Sequence, residues 1–152
     1  MLHEITDYRS SLGKLMYLAN DHPDIDFAAN CLARKSSCPT DLDIQRLRRV
    51  VRYIRGHPTV KWTFIADGDD FAPELIVYTD SDWAGDAATR RSTSGGVLTW
   101  GTSTLGAWSK LQAVVALSSA EAEYYAMVVR VQRSLGVQAM LKEASVETRL
   151  IL

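Results

Sequence analysis

The first third of the chain carries its apolar residues at helical spacing. Tyr8, Leu12, Leu15, Met16 and Ala19 recur on one helix face. The run Asn20-Asp21-His22-Pro23-Asp24 interrupts that pattern. Pro23 suits the first turn of a second helix, where its missing N–H costs nothing, with Asp21 or His22 before it as the cap. Ile25, Ala28, Ala29 and Leu32 give this helix its stripe. A third helix is predicted over 41–55, with Ile44, Leu47, Val51 and Ile54 as its apolar face and Gly56-His57-Pro58 as its stop.

Beyond residue 66 the period changes. The stretch 66–73 is acidic and holds Gly, Asp and Pro, so it reads as a loop. Residues 75–79 are β-rich and apolar, a strand expected to be buried on both faces. Strands over 95–100 and 104–109 flank a turn at Gly101, and 113–117 leads toward a helix. That helix spans about 119–143, with Tyr124, Val128, Val131 and Leu135 as its expected core stripe and Gly136 as a weak point. Residues 146–152 alternate and read as a last strand. Three antiparallel strands, a crossover helix and a parallel strand make an α/β fold, preceded by a helical segment. The expected division is 1–66 and 67–152.

Composition adds limits. With 152 residues, 47% hydrophobic and 23% charged, the chain has the make-up of an ordinary globular protein. The net charge of −1 hides an asymmetry: ten basic and seven acidic side chains precede residue 67, and seven basic and eleven acidic follow. Arg48, Arg52 and Arg55 cluster on one face of the third helix, flanked by Arg46 and Arg49. Such a face either contacts nucleic-acid phosphates or is a solvated amphipathic surface, and alone it favours the second. No apolar run approaches the roughly 20 residues of a membrane helix, and the N-terminus lacks the pattern of a secretory signal. Cys31 and Cys38 are expected to be reduced thiols, and three histidines make a zinc site unexpected.

Two places carry candidate chemistry. Asp80 and Asp82 lie two apart on an extended segment and so share a side. Their mutual repulsion is relieved by a hard cation such as Mg²⁺, although Asp-x-Asp also serves as a turn signal and as the nucleotide–metal motif of glycosyltransferases. Ser118-Ser119-Ala120-Glu121-Ala122-Glu123 opens the long helix. Ser118 and Glu121 have capping-box spacing, which gives Glu121 a structural task and leaves Glu123 as the candidate ligand. A strand aspartate and a glutamate early in the crossover helix can meet above the sheet, as in two-metal phosphoryl-transfer sites. No nucleophile–histidine arrangement and no phosphate-binding glycine loop competes.

The segment YTDSDWAGDAATRRSTSGGVLTWG, followed by AWSKLQAVVALSSAEAEYYA, closely resembles the ribonuclease H region of copia-like LTR-retrotransposon Pol polyproteins. There the pattern runs YSDADWAGD, RKSTSG, WSSKKQ and VALSSTEAEY. The stretch YRSSLGKLMYLANDHPDIDFAANCLAR with RLRRVVRYIRG resembles the helical connection that precedes that region. The resemblance implies an RNase H-like mixed sheet. It also implies Mg²⁺-dependent hydrolysis (Mn²⁺ being the other suitable ion) of RNA in RNA–DNA hybrids. Asp80 matches the aspartate of the family's first strand and Glu123 the glutamate of its first helix. Asp82 matches an acidic position that is not a primary ligand. Trp108-Ser109-Lys110-Leu111-Gln112 is one residue shorter and one lysine poorer than WSSKKQ, which leaves Lys110 as the hybrid contact there. The family's further metal-binding aspartate follows the strand matching 147–152, so the resemblance implies a C-terminally truncated domain with little nuclease activity of its own. The remainder of a reverse-transcriptase polyprotein is the expected partner. The expected location is cytoplasmic, in a virus-like particle, or nuclear, and neither membrane nor secretion is expected. Two other readings stand beside this one: a non-catalytic binder of hybrid or single-stranded nucleic acid using Arg48, Arg52 and Arg55, and a relic that folds in part.

Overall fold

A computed structural model describes residues 2–64 and 74–152, with side chains from residue 5 onward. The expected loop at 66–73 and the expected division between 66 and 67 lie outside the described residues. The chain forms two compact units, Met1–Lys61 and Trp62–Leu152.

The first unit is helical. Helix α1 runs Leu2–Leu18, a 3-10 turn covers Pro23–Ile25, α2 is Asp26–Ala33 and α3 is Asp41–Gly56. Pro23 opens the 3-10 turn with His22 at the cap position, and no side chain caps it. The core gathers Tyr8, Leu12, Leu15, Ile25, Leu32 and Leu47. The Tyr8 hydroxyl donates to the Leu32 carbonyl at 2.9 Å, which satisfies it in the interior. Met16 and Val51, both expected inside, are exposed, and Val50 packs inward in place of Val51.

The cap of α3 explains that rotation. Asp43 and Leu47 are buried on its inward side, and Ile44, Val50 and Ile54 pack there partly buried. Asp43 is buried because it closes a capping box with Thr40. Its carboxylate accepts from the Thr40 hydroxyl at 2.6 Å and the Thr40 N–H at 3.0 Å, and lies 3.3 Å from Arg46. The Thr40 hydroxyl, then the Thr40 N–H and Arg46, hold its pKa below the ordinary aspartate range against the opposing effect of burial.

The second unit is α/β. Strand β1 is Glu74–Asp82, β2 Thr93–Trp100, β3 Ser103–Leu111, helix α4 Ser119–Glu143 and β4 Arg149–Ile151. The sheet order is β3-β2-β1-β4. The first three strands pair antiparallel, and β4 joins β1 in parallel after the α4 crossover. Gly101 supplies the left-handed residue (φ 55) at the β2–β3 turn. Gly136 lies inside α4 without ending it, and the last strand is shorter than expected.

One face of the sheet is covered. Leu75, Val77, Leu98 and Trp108 form its core, with Val129, Val137 and Leu150 packed against them. Along β1 the alternate residues Tyr78, Asp80 and Asp82 are exposed, so β1 is buried on one face and not on both. The stripe of α4 also differs. Ala122, Ala126 and Ser134 are buried, while Tyr124, Val128 and Leu135 are exposed. Small side chains let the helix axis approach β1 and β2 closely, and the bulkier residues are left outward.

Candidate functional site

At the carboxyl end of β1, side chains alternate. Ser81 lies on the helix-covered side with Leu75 and Val77, while Asp80 and Asp82 fall on the opposite, exposed side. Helix α4 starts over this strand end. Ser118 is its N-cap, and its hydroxyl accepts from the Glu121 N–H at 3.2 Å. The Glu121 carboxylate turns back, but to the Leu117 N–H at 2.7 Å, one residue beyond the cap, and it also accepts from the Tyr125 hydroxyl at 3.2 Å. The capping box is therefore half formed. That bond to Glu121 raises the Tyr125 phenol's pKa above the ordinary range.

Glu123, two positions further, lies where α4 meets β1. Its Oε1 accepts from the Ser81 hydroxyl at 2.7 Å and from the Ser81 N–H at 3.2 Å. Two donors from one residue on one oxygen fix the carboxylate direction, across 42 positions of sequence. Glu123 thus meets β1 at Ser81, the residue between the two aspartates, while Asp80 and Asp82 themselves alternate to the other side of the strand. Sequence reasoning missed Ser81; its signal was that alternation places residue 81 toward the helix whenever 75 and 77 face it.

Trp83 follows directly. Its indole N–H donates to the Ala116 carbonyl at 3.1 Å, tying the β1–β2 connection to the segment before α4. Ala84 then takes a left-handed conformation (φ 54), with its N–H on the hydroxyl of fully buried Ser92 at 3.1 Å. Ser81, Ser94 and Lys110 form one cross-strand row, since Ser81 pairs Ser94 and Ser94 pairs Lys110. Lys110 is therefore on the Glu123 side of the sheet, two strands away, and exposed. Gln112 is buried beneath, donating to Ser94 Oγ at 2.9 Å and to the Ala122 carbonyl at 2.8 Å.

The donors around β1 are hard oxygens, the type Mg²⁺ and Mn²⁺ take. Among the described residues no group of three or more His, Cys, Asp and Glu gathers as a metal cage. With Asp80 and Asp82 on one side of β1 and Glu123 held on the other, an ion taken here would keep most of its waters and be completed by substrate phosphates, the common Mg²⁺ arrangement. The donor set does not fit a closed protein site. Arg48, Arg52 and Arg55 belong to the helical unit, where they line a groove of about 770 Å³ with Ile44, Leu47 and Val51.

An α/β unit with an acidic strand end clamped to the first turns of its crossover helix, joined in one chain to a helical unit, has relatives among transposon polyproteins. The chain is 39% identical over 123 residues to the retrovirus-related Pol polyprotein from transposon RE1 of Arabidopsis thaliana, covering 81% of this chain and 8% of that one. It is 34% identical over 137 residues to the Pol polyprotein from transposon TNT 1-94 of Nicotiana tabacum, covering 90% of this chain and 10% of the polyprotein. It is also 37% identical over 129 residues to secreted RxLR effector protein 161 of Plasmopara viticola, covering 84% of this chain and 89% of that protein. The chain belongs to the family of copia-like retrotransposon Pol polyproteins, and it spans 8 to 10% of the length of the Pol polyproteins described above. No protein-family model matches it, and no solved structure does. No helix among the described residues is long and apolar enough to cross a membrane.

Proposed function

We propose that the Trp62–Leu152 unit is the ribonuclease H region of a copia-like Pol polyprotein, with an RNase H-like fold, acting on the RNA strand of RNA–DNA hybrids. The observation that carries this reading is the seating of Glu123 on the residue next to Asp80, by two hydrogen bonds to Ser81. The β3-β2-β1-β4 order with a parallel β4 supports it. Asp80 and Glu123 are the carboxylates that would hold Mg²⁺ or Mn²⁺, with Asp82 an outer contributor. When bound, the ions supply an activated water and stabilise the leaving oxygen. The chain's own residues do the positioning. Ser81 orients Glu123, and Lys110 reaches toward the phosphates of the bound strand. The remainder of the polyprotein is the proposed partner, and a cytoplasmic virus-like particle or the nucleus the proposed place of action.

The test is direct. The 152-residue chain is titrated in Mg²⁺ with a labelled RNA–DNA hybrid and with duplex DNA of the same sequence, and cleavage is followed on gels. Preferential hybrid binding is expected, with little turnover because the described donors are few. Equal affinity for both duplexes would sink the reading.

A second reading is supported by the groove beside α3. Arg48, Arg52 and Arg55 line it together with apolar Ile44, Leu47 and Val51 and with one carboxylate, Asp7, and three guanidinium groups against one carboxylate suit phosphate contacts by a non-catalytic binder. Replacing all three by Ala is expected to lower the slope of log K against log salt by about 2 to 3, at roughly 0.7 to 0.9 per lost phosphate contact. An unchanged slope in a single-strand binding titration would remove this reading.

A further inference from the structure

Segments 80–86 and 121–123 carry Asp80, Asp82, Asp86, Glu121 and Glu123 and no basic residue. These carboxylates repel a nucleic acid that approaches this end of the sheet, and an uncharged contact adds attraction that they do not oppose, beside the cations Arg90 and Arg91 at the end of the same connection and Lys110 on β3. One aromatic ring stands within these segments. Trp83 is 48% exposed, although Ala116, which accepts its indole N–H, is buried. The hydrogen bond uses only the edge of the ring and stops it turning, while much of its surface stays open to solvent. The backbone beside it is equally fixed, through left-handed Ala84 and its bond to Ser92. A large apolar surface that is held rigid but not covered binds at little entropic cost. A structural staple alone needs the N–H edge and gives no reason for the open surface.

We propose that Trp83 is a contact residue for nucleic acid, packing its indole against the sugars of a hybrid strand that crosses the carboxyl end of β1. This rests on the ribonuclease H reading and adds to it an uncharged source of affinity. The wide, shallow minor groove of an A-like duplex exposes its sugars to such a surface.

The hybrid titration is repeated with Trp83→Ala and Trp83→Phe. Trp83→Ala is expected to raise Kd about tenfold, the loss appropriate to part of an indole surface leaving an apolar contact, with the salt slope unchanged because no charge is removed. Trp83→Phe keeps a flat ring and is expected to stay within a few-fold of the parent chain. Should the alanine variant fail to fold, ¹⁹F spectra of the parent chain carrying 5-fluorotryptophan decide, with the Trp83 signal assigned by Trp83→Phe. That signal is expected to move on hybrid addition. Parent-like affinity in folded Trp83→Ala, or an unmoved Trp83 signal in the bound complex, overturns the inference while leaving hybrid preference intact. Loss of hybrid preference with the Trp83 effect retained overturns the ribonuclease H reading instead. No binding by the parent chain overturns both.

Discussion

Replacing Trp108 by Ala is expected to lower the unfolding free energy of the sheet unit by about 3–5 kcal/mol. Trp108 is among the largest side chains of this core, 8% exposed, and packs with Leu75, Val77 and Leu98. Its ring lies over Gly96, its cross-strand partner: a Cβ at residue 96 would fall 2.1 Å from Cζ2 of the indole. The Arg133 guanidinium lies 4.9 Å from the ring centroid, adding a cation–π contact. Gly96 is therefore required by the ring, and Gly96→Ala is expected to cost about 1–3 kcal/mol through overpacking. The two substitutions should not add. With the indole already gone, a methyl group at 96 meets open space, so Gly96→Ala in the Trp108→Ala background is expected to be nearly neutral. Urea unfolding by far-UV circular dichroism, with amide exchange along β2, measures the cycle. Additive costs would show that the ring does not rely on Gly96.

The sequence carried the order of elements and the direction of each strand, because turn residues and changes of period mark them. Gly101 and the Gly-then-Pro stop after α3 are examples. It carried less about which side of an element faces in. Tyr124, Val128 and Leu135 make the most apolar line on α4, yet Ala122 and Ala126 are the residues pressed on the sheet. Hydrophobicity ranks residues by size, whereas close approach of a helix to a sheet selects small ones. On α3 the inward turn is set by Asp43, a polar residue that periodicity counts as outside, because its partners on Thr40 are invisible to a pattern of apolar positions. At the candidate site, capping chemistry separated Glu121 from Glu123 without a structure. Alternation along β1 indicates the side of Ser81 but not its partner, and neither the Ser81–Glu123 bond nor the Trp83–Ala116 bond is legible locally, since they join positions 42 and 33 apart.

Ser81, Glu123 and Asp80 should behave as one unit toward divalent cations. On the proposed reading, Mn²⁺ added to the 152-residue chain broadens the amide signals of residues near 80–82 and 121–124, and a titration of that broadening yields its Kd. Glu123→Gln and Asp80→Asn each remove a charged hard-oxygen donor from a site with few of them, and each is expected to weaken Mn²⁺ by about 100-fold, or about 2.7 kcal/mol. Ser81→Ala removes no ligand. It releases one of two hydrogen bonds on Glu123 Oε1, and partners that orient a ligand typically carry 10- to 100-fold in metal affinity. A loss of roughly tenfold is expected, since the Ser81 N–H remains. Ser81→Thr keeps the hydroxyl and is expected to restore the parent affinity. That ordering separates orientation from general loosening of the fold, which would weaken both Ser81 variants alike. Broadening centred elsewhere, or unaltered by Glu123→Gln, would mean that the carboxylate clamped by Ser81 is a structural tie between α4 and β1 and holds no ion.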